Sequence, residues 1–223
     1  MKQRSNHPGD PGPSAGFTLI ELLVVIAILG LLVALIIPSM RRAIMIAKDT
    51  KTLAVMAEIK NGLEGFKSDN EGMYPGQGRP SSDKLKVMTG SELLARTLFW
   101  SKSADNDPFD SPFKPTSGYM AYNENLVIEY EGQSPLMGDD YDEDDAMPIL
   151  YYPARLGRVG RTGYLSNYVS GDNGSIDTPS GGSWGKFVKD GNGNFHNPRS
   201  YLLIGAGLDR KYFTDDDHTN FPK

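Results

Sequence analysis

From Phe17 to Ile37 the chain reads FTLIELLVVIAILGLLVALII, in which Thr18 and Glu21 are the only polar side chains and Leu22 to Ile37 is unbroken. As an α-helix rising 1.5 Å per residue, this segment is about 31 Å long, roughly the hydrocarbon thickness of a bilayer. Such a span must lie in lipid or be covered by protein on every side, and its length makes membrane insertion the default. An ordinary secretory signal would have a shorter apolar core with a small-residue cleavage site behind it. Here Pro38, Ser39, Met40, Arg41 and Arg42 follow, which is a stop-transfer flank. Residues 1–16, MKQRSNHPGDPGPSAG, are polar and rich in proline and glycine, so they cannot pack into a core and read as a leader or tail.

Beyond the span, residues 38–70 change from wholly apolar to one-sided. Thr52, Val55, Met56, Ile59, Leu63 and Phe66 recur at three- and four-residue steps, with Lys51, Glu58, Lys60, Glu64 and Lys67 elsewhere on the wheel. This is an amphipathic helix. Pro38 removes one backbone donor and crowds the carbonyl of Ala34, so a bend is expected there, although a helix in lipid can continue through proline. The two segments together predict a helix of about 52 residues, its first half in the membrane and its second half the spine of a head. Ser68 to Gly78, SDNEGMYPGQG, is dense in turn formers and ends it.

Residues 71–223 are enough for one globular head. The chain has 25 Gly and 15 Pro, which predicts short elements and many turns. Ser91 to Trp100 reads as a short helix capped by Ser91, and Asn106 to Gly118 as a proline-punctuated loop. Leu126–Tyr130, Ile149–Tyr152, Leu165–Val169, Trp184–Val188 and Tyr201–Ile204 are β-prone runs bounded by turn residues. The expected class is α+β, with a long N-terminal helix packed on a small antiparallel sheet that buries both one-sided elements. The absence of cysteine excludes disulfides, thiolate metal sites and cysteine nucleophiles. A net charge of −5 argues against nucleic acid as a partner.

A carboxylate inside an apolar span needs a reason, since acidic groups are expensive in lipid. Glu21 sits in the first helical turn, where the helix dipole favours negative charge. Gly16 directly before Phe17 points further: cleavage between them would make Phe17 a new amine terminus with Glu21 one turn away. GFTLIELLVVIAILG, Gly16 to Gly30, resembles the processing and methylation motif of type IV prepilins and type II secretion pseudopilins. The resemblance implies that a membrane-embedded prepilin peptidase and methyltransferase cuts between Gly16 and Phe17 and methylates the Phe17 amine. It implies that Glu21 pairs with the terminal amine of a neighbouring copy during assembly. Gly30 and Pro38 stand where the family has helix-loosening residues.

The resemblance also implies a structural, non-enzymatic subunit of a type II secretion pseudopilus. It would polymerise with itself and with other pseudopilins on an inner-membrane assembly platform, as a single-pass protein in membrane lipid with its head on the outer side. Charge counting across the span, taken alone, would put the head inside. The alternative within the class is a type IV pilin or a minor tip pseudopilin; the missing cysteine pair and an acidic C-terminal loop favour the pseudopilin.

LEGFKSDNEGMYP, ending at Pro75, is similar to the end of the pseudopilin spine, and DPFDSPF, Asp107 to Phe113, faintly to a family turn. YLLIGAGLDRKYFTDDD, Tyr201 to Asp217, resembles the calcium loop of the major pseudopilin, with Asp209, Asp215 and Asp216 as the implied Ca2+ ligands. Arg210 and Phe213 replace two glycines expected there. Tyr119 to Ser200 has no counterpart in a compact major pseudopilin.

Asp139, Asp140, Asp142, Glu143, Asp144 and Asp145 are six acids in seven residues. An EF-hand loop fails here for want of the central glycine and the closing glutamate, so a solvated acidic loop is expected. GGSWG, Gly181 to Gly185, matches the pattern of a nucleophile elbow, and Asp209 and His218 follow in hydrolase order. A membrane-tethered hydrolase built on Ser183 would need a buried strand before it, and Thr178, Pro179 and Ser180 stand there instead. His196 and His218 read as surface residues, and the tyrosines as cover for the sheet.

Overall fold

The computed structural model describes residues 16–77, 88–100, 117–128, 135–142, 145–159, 163–177 and 184–222. The predicted long helix is α1, Leu19–Asp69, assigned as one helix through Pro38. Ser39 Oγ donates to the Ile36 carbonyl at 2.8 Å, serving backbone near the donor that proline lacks. At the far end the Gly72 amide reaches back to the Lys67 carbonyl at 3.0 Å, a Schellman-type closure, with Glu71 taking the left-handed conformation at φ 55°.

The chain divides at Ile44/Met45 into an N-terminal helical unit and a second unit that holds the head. Within the first, every described residue of the apolar span is exposed, which is what lipid or neighbouring copies would cover. Within the second, α1 buries Thr52, Val55, Met56, Ile59, Gly62 and Leu63, the face that the periodicity predicts. Phe66 is part-buried, its ring edge-to-face with Tyr119 at 5.4 Å.

The rest of the second unit comprises α2 (Gly90–Leu98), β1 (Val127–Ile128), β2 (Leu136–Met137), β3 (Leu150–Pro153), β4 (Arg155–Val159), β5 (Gly163–Asn167), α3 (Trp184–Phe187), β6 (Tyr201–Gly205) and β7 (His218–Thr219). The antiparallel pairing is as expected, but the described residues form three small sheets rather than one: β1-β2, β3-β6-β7 and β4-β5. Trp184–Phe187 is a helical turn rather than a strand.

The central sheet is buried on both faces, which corrects the expectation of one-sided strands. Tyr151, Tyr201 and Leu203 join α1 and α2 in one core, while Leu150, Tyr152, Leu202 and Ile204 join Tyr168, Val188, Tyr212, Phe213 and Phe221 in another. LYYP and YLLIG are apolar at successive positions because both faces need cover. Each such side chain contributes roughly 1.5–3 kcal/mol when removed from water. Part of the Tyr119–Ser200 stretch therefore covers the second face: Tyr152, Trp184, Phe195 and Tyr168 are linked by ring contacts of 5.5 to 6.1 Å.

Helix α2 is buried along its whole length. Its cap is Thr89, not Ser91: the Thr89 hydroxyl accepts from the Glu92 amide at 3.2 Å. Ser91 lies inside, exchanging hydrogen bonds of 3.2 and 3.0 Å with the carbonyl and amide of Met137. Glu92 and Arg96 form a buried ion pair at 2.9 Å.

Candidate functional site

The Gly16–Phe17 junction, where the sequence predicts processing, lies at the threshold of α1. Gly16, Phe17 and Thr18 precede the helix, and Phe17 is 87% exposed. A side chain added at Gly16 would meet nothing within 4 Å, so packing does not require a glycine there. Glu21 is tied to the helix start. Its Oε2 accepts from the Thr18 amide and hydroxyl, both at 2.8 Å, and the Glu21 amide donates to Thr18 Oγ1 at 3.3 Å. This is a capping box, with the orphan donors of the first turn satisfied reciprocally. The T-x-x-E spacing carried that signal in the sequence. Gly30 has open space around it, and Pro38 lies within the helix.

The C-terminal loop runs from β6 to β7. A Cβ on Gly207 would lie 2.4 Å from the Asp216 carbonyl oxygen, so the two limbs touch backbone to backbone. Arg210 and Phe213 stand at φ 55° and 64°, so both adopt the left-handed conformation that favours glycine. Each is held there by its own side chain. Phe213 is buried and packs edge-to-face on Phe187 at 5.5 Å. The Arg210 guanidinium bonds Asp139 Oδ2 at 2.6 Å, lies 3.3 Å from an Asp145 carboxylate oxygen, and stacks 4.1 Å from the Tyr141 ring centre.

The loop gathers carboxylate oxygens of Asp209, Asp216 and Asp217 within 4.8 Å of one another. Asp209 and Asp216 are two of the implied ligands; Asp217 is the third member, and Asp215 lies outside the group. Thr214 Oγ1 donates within the same group of residues, at 2.7 Å from Asp216 Oδ1 and 3.2 Å from Asp217 Oδ1. Backbone amides of Asp209 and Phe213 donate to Asp216 and Asp217 at 2.9 and 2.6 Å, fixing the carboxylates in place. Three hard anionic oxygens are the donor type that a calcium ion prefers, and they could supply part of its shell.

The acidic run is not a solvated loop at its start. Asp139 is fully buried, with Oδ1 accepting from the amides of Tyr141 and Met147 at 3.2 and 3.1 Å. Lys48 pairs with Asp142, and that hydrogen bond holds the lysine protonated above its usual range. Glu143 and Asp144 lie outside the described residues, as do Asp107 to Phe113 and Ser183. His196 and His218 are also more embedded than expected: His218 Nε2 bonds Asp49 Oδ1 at 2.7 Å, and His196 stacks on Phe221 at 4.8 Å.

A capped, membrane-length helix preceded by an exposed Gly-Phe junction and continued into an α+β head defines a pilin-like protein. Residues 13–37 match the prokaryotic N-terminal methylation motif. The chain is 30% identical over 105 residues to type II secretion system core protein G of Aeromonas hydrophila, an alignment covering 46% of this chain and 73% of that protein. No solved structure matches it significantly. The chain belongs to the prepilin-type pseudopilin family, and is structural rather than enzymatic.

Proposed function

We propose that this chain is a subunit of a type II secretion pseudopilus, cut between Gly16 and Phe17, methylated on Phe17 and polymerised through α1. The observation that carries this reading is the exposed Gly16–Phe17 junction lying just outside a helix whose first turn holds Glu21. A peptidase needs a scissile bond that is free of helical hydrogen bonding and open to approach, and this junction meets both demands. Cleavage leaves a cationic amine one turn from Glu21. In lipid, that carboxylate gains a strong partner when the amine of a neighbouring copy approaches, because unlike charges attract far more strongly away from water.

The exposed apolar span then exchanges lipid for the helices of other copies. The reading places the span in the inner membrane as a single pass, the head on its outer side, and the prepilin peptidase, the assembly platform and other pseudopilins as partners. The C-terminal loop is proposed to hold one calcium ion through Asp209, Asp216 and Asp217, linking the last strands of a head that has no disulfide. The bound ion supplies positive charge, and the chain's part is to present the three carboxylates on fixed amides.

Intact-mass measurement of the membrane-extracted protein tests the central step. The expected chain begins at Phe17 and is one methyl group heavier than its sequence, and Gly16→Leu remains uncut. A mature protein that retains Met1, or begins beyond Ile37, refutes the proposal.

A further inference from the structure

Arg210 issues from the middle of the C-terminal loop, one residue after Asp209, yet its guanidinium does not turn toward the loop's own carboxylates. It crosses to the acidic segment, bonding the Asp139 carboxylate and the Asp145 carbonyl and covering the Tyr141 ring. Its backbone stands at φ 55°, which for a non-glycine residue is strained by roughly 1–2 kcal/mol. Glycine would suit the turn better, so the side chain must offset that strain elsewhere.

The acidic segment continues the connection to α1. The Thr52 hydroxyl donates to the Asp139 carbonyl at 3.4 Å, Lys51 lies 3.8 Å from Asp140, and Lys48 pairs with Asp142 while standing 5.6 Å from the Tyr141 ring centre. Asp139 is the hub of this arrangement. One of its oxygens orders the amides of Tyr141 and Met147, and the other is held by Arg210.

We propose that Arg210 is a mechanical link through which a divalent cation in the C-terminal loop tightens the acidic segment against the spine at Lys48–Thr52. The inference rests on the calcium reading above. An ion held by Asp209, Asp216 and Asp217 fixes the loop backbone on both sides of Arg210. A fixed backbone holds the guanidinium on Asp139, and Asp139 in turn holds the Tyr141 and Met147 amides. The ion does not touch the acidic segment, and its coupling to Asp139 runs through the Arg210 side chain, beside the separate contacts of Tyr212 with the Pro148 carbonyl and of His218 with Asp49. Metal loading thereby sets how firmly the head grips its own helix.

The test uses the full chain in detergent micelles, calcium chloride as the ligand, calorimetry for binding, and hydrogen exchange at the Tyr141 and Met147 amides. Calcium should slow exchange at both amides by roughly 5-fold or more, the low end of site-to-site coupling. Arg210→Gly keeps a residue suited to φ 55° and removes the guanidinium. It should still bind calcium, while calcium no longer slows the two amides. Should that variant fail to fold, Arg210→Lys decides: a single ammonium cannot hold Asp139 and Asp145 together, so the slowing should be reduced. Calcium binding without slowing in the wild type, or equal slowing in the variants, overturns the link and leaves the calcium reading standing. No calcium binding to the wild type overturns both.

Discussion

Gly90→Ala is a one-carbon change whose effect can be worked out from the packing of α2 on β3. The added Cβ would lie 1.8 Å from the Tyr151 carbonyl oxygen, 2.9 Å from its carbon and 3.0 Å from Asn173 Oδ1. Two of these are backbone atoms of a central strand, so no rotamer change relieves the clash and the helix must move away. Four hydrogen bonds surround that contact and depend on the seating of α2: Ser91 amide to Asn173 Oδ1 at 3.0 Å, Asn173 Nδ2 to the Tyr151 carbonyl at 3.2 Å, and the two between Ser91 and Met137. At about 1 kcal/mol each, their loss removes roughly 4 kcal/mol. Alanine's better helix propensity returns about 1 kcal/mol, leaving a net loss of about 3 kcal/mol. Urea unfolding of the full chain, followed by tryptophan fluorescence, measures it. Gly191→Ala, where a Cβ meets nothing within 4 Å, is the control and should stay within about 0.5 kcal/mol of wild type. If Gly90→Ala matches that control, α2 does not seat on β3 as described.

Glu21→Val should insert normally, because the span becomes more apolar, yet fail to enter fibres or support secretion; wild-type assembly would reduce Glu21 to the helix cap it forms with Thr18. Free calcium at 100 times its dissociation constant should stabilise the full chain by about 2.7 kcal/mol and raise its thermal midpoint by several degrees. Asp209→Ala and Asp217→Ala should both abolish that rise, and a rise that persists in both means the loop holds no specific ion. Burial raises the Tyr151, Tyr168 and Tyr201 phenols above their ordinary range. The neutral form is thus favoured in the fold, so their contribution to stability is intact below the unfolded value of about 10 and is lost as pH climbs beyond it. Ultraviolet titration should show a late tyrosinate phase coincident with unfolding, and full ionisation of a folded chain near the ordinary value would contradict it.

The sequence alone determined what depends on neighbours a few residues apart. The apolar span, the Thr52–Leu63 face of α1, the glycine before Phe17 and the position of Glu21 are local patterns, because a helix satisfies its backbone internally and repeats every 3.6 residues. Tertiary structure decided what depends on partners distant in the chain. Thr89 rather than Ser91 caps α2 because Ser91 is needed inward at Met137. Trp184–Phe187 coils instead of extending because it covers one face of the central sheet, not an edge. Asp139 is buried because Arg210, 71 residues later, brings it a charge, and a charge pattern read along the chain carries no information about such a partner. Arg210 and Phe213 occupy glycine conformations for the same reason: the cost is local and visible in the residue types, whereas the contacts that offset it are not.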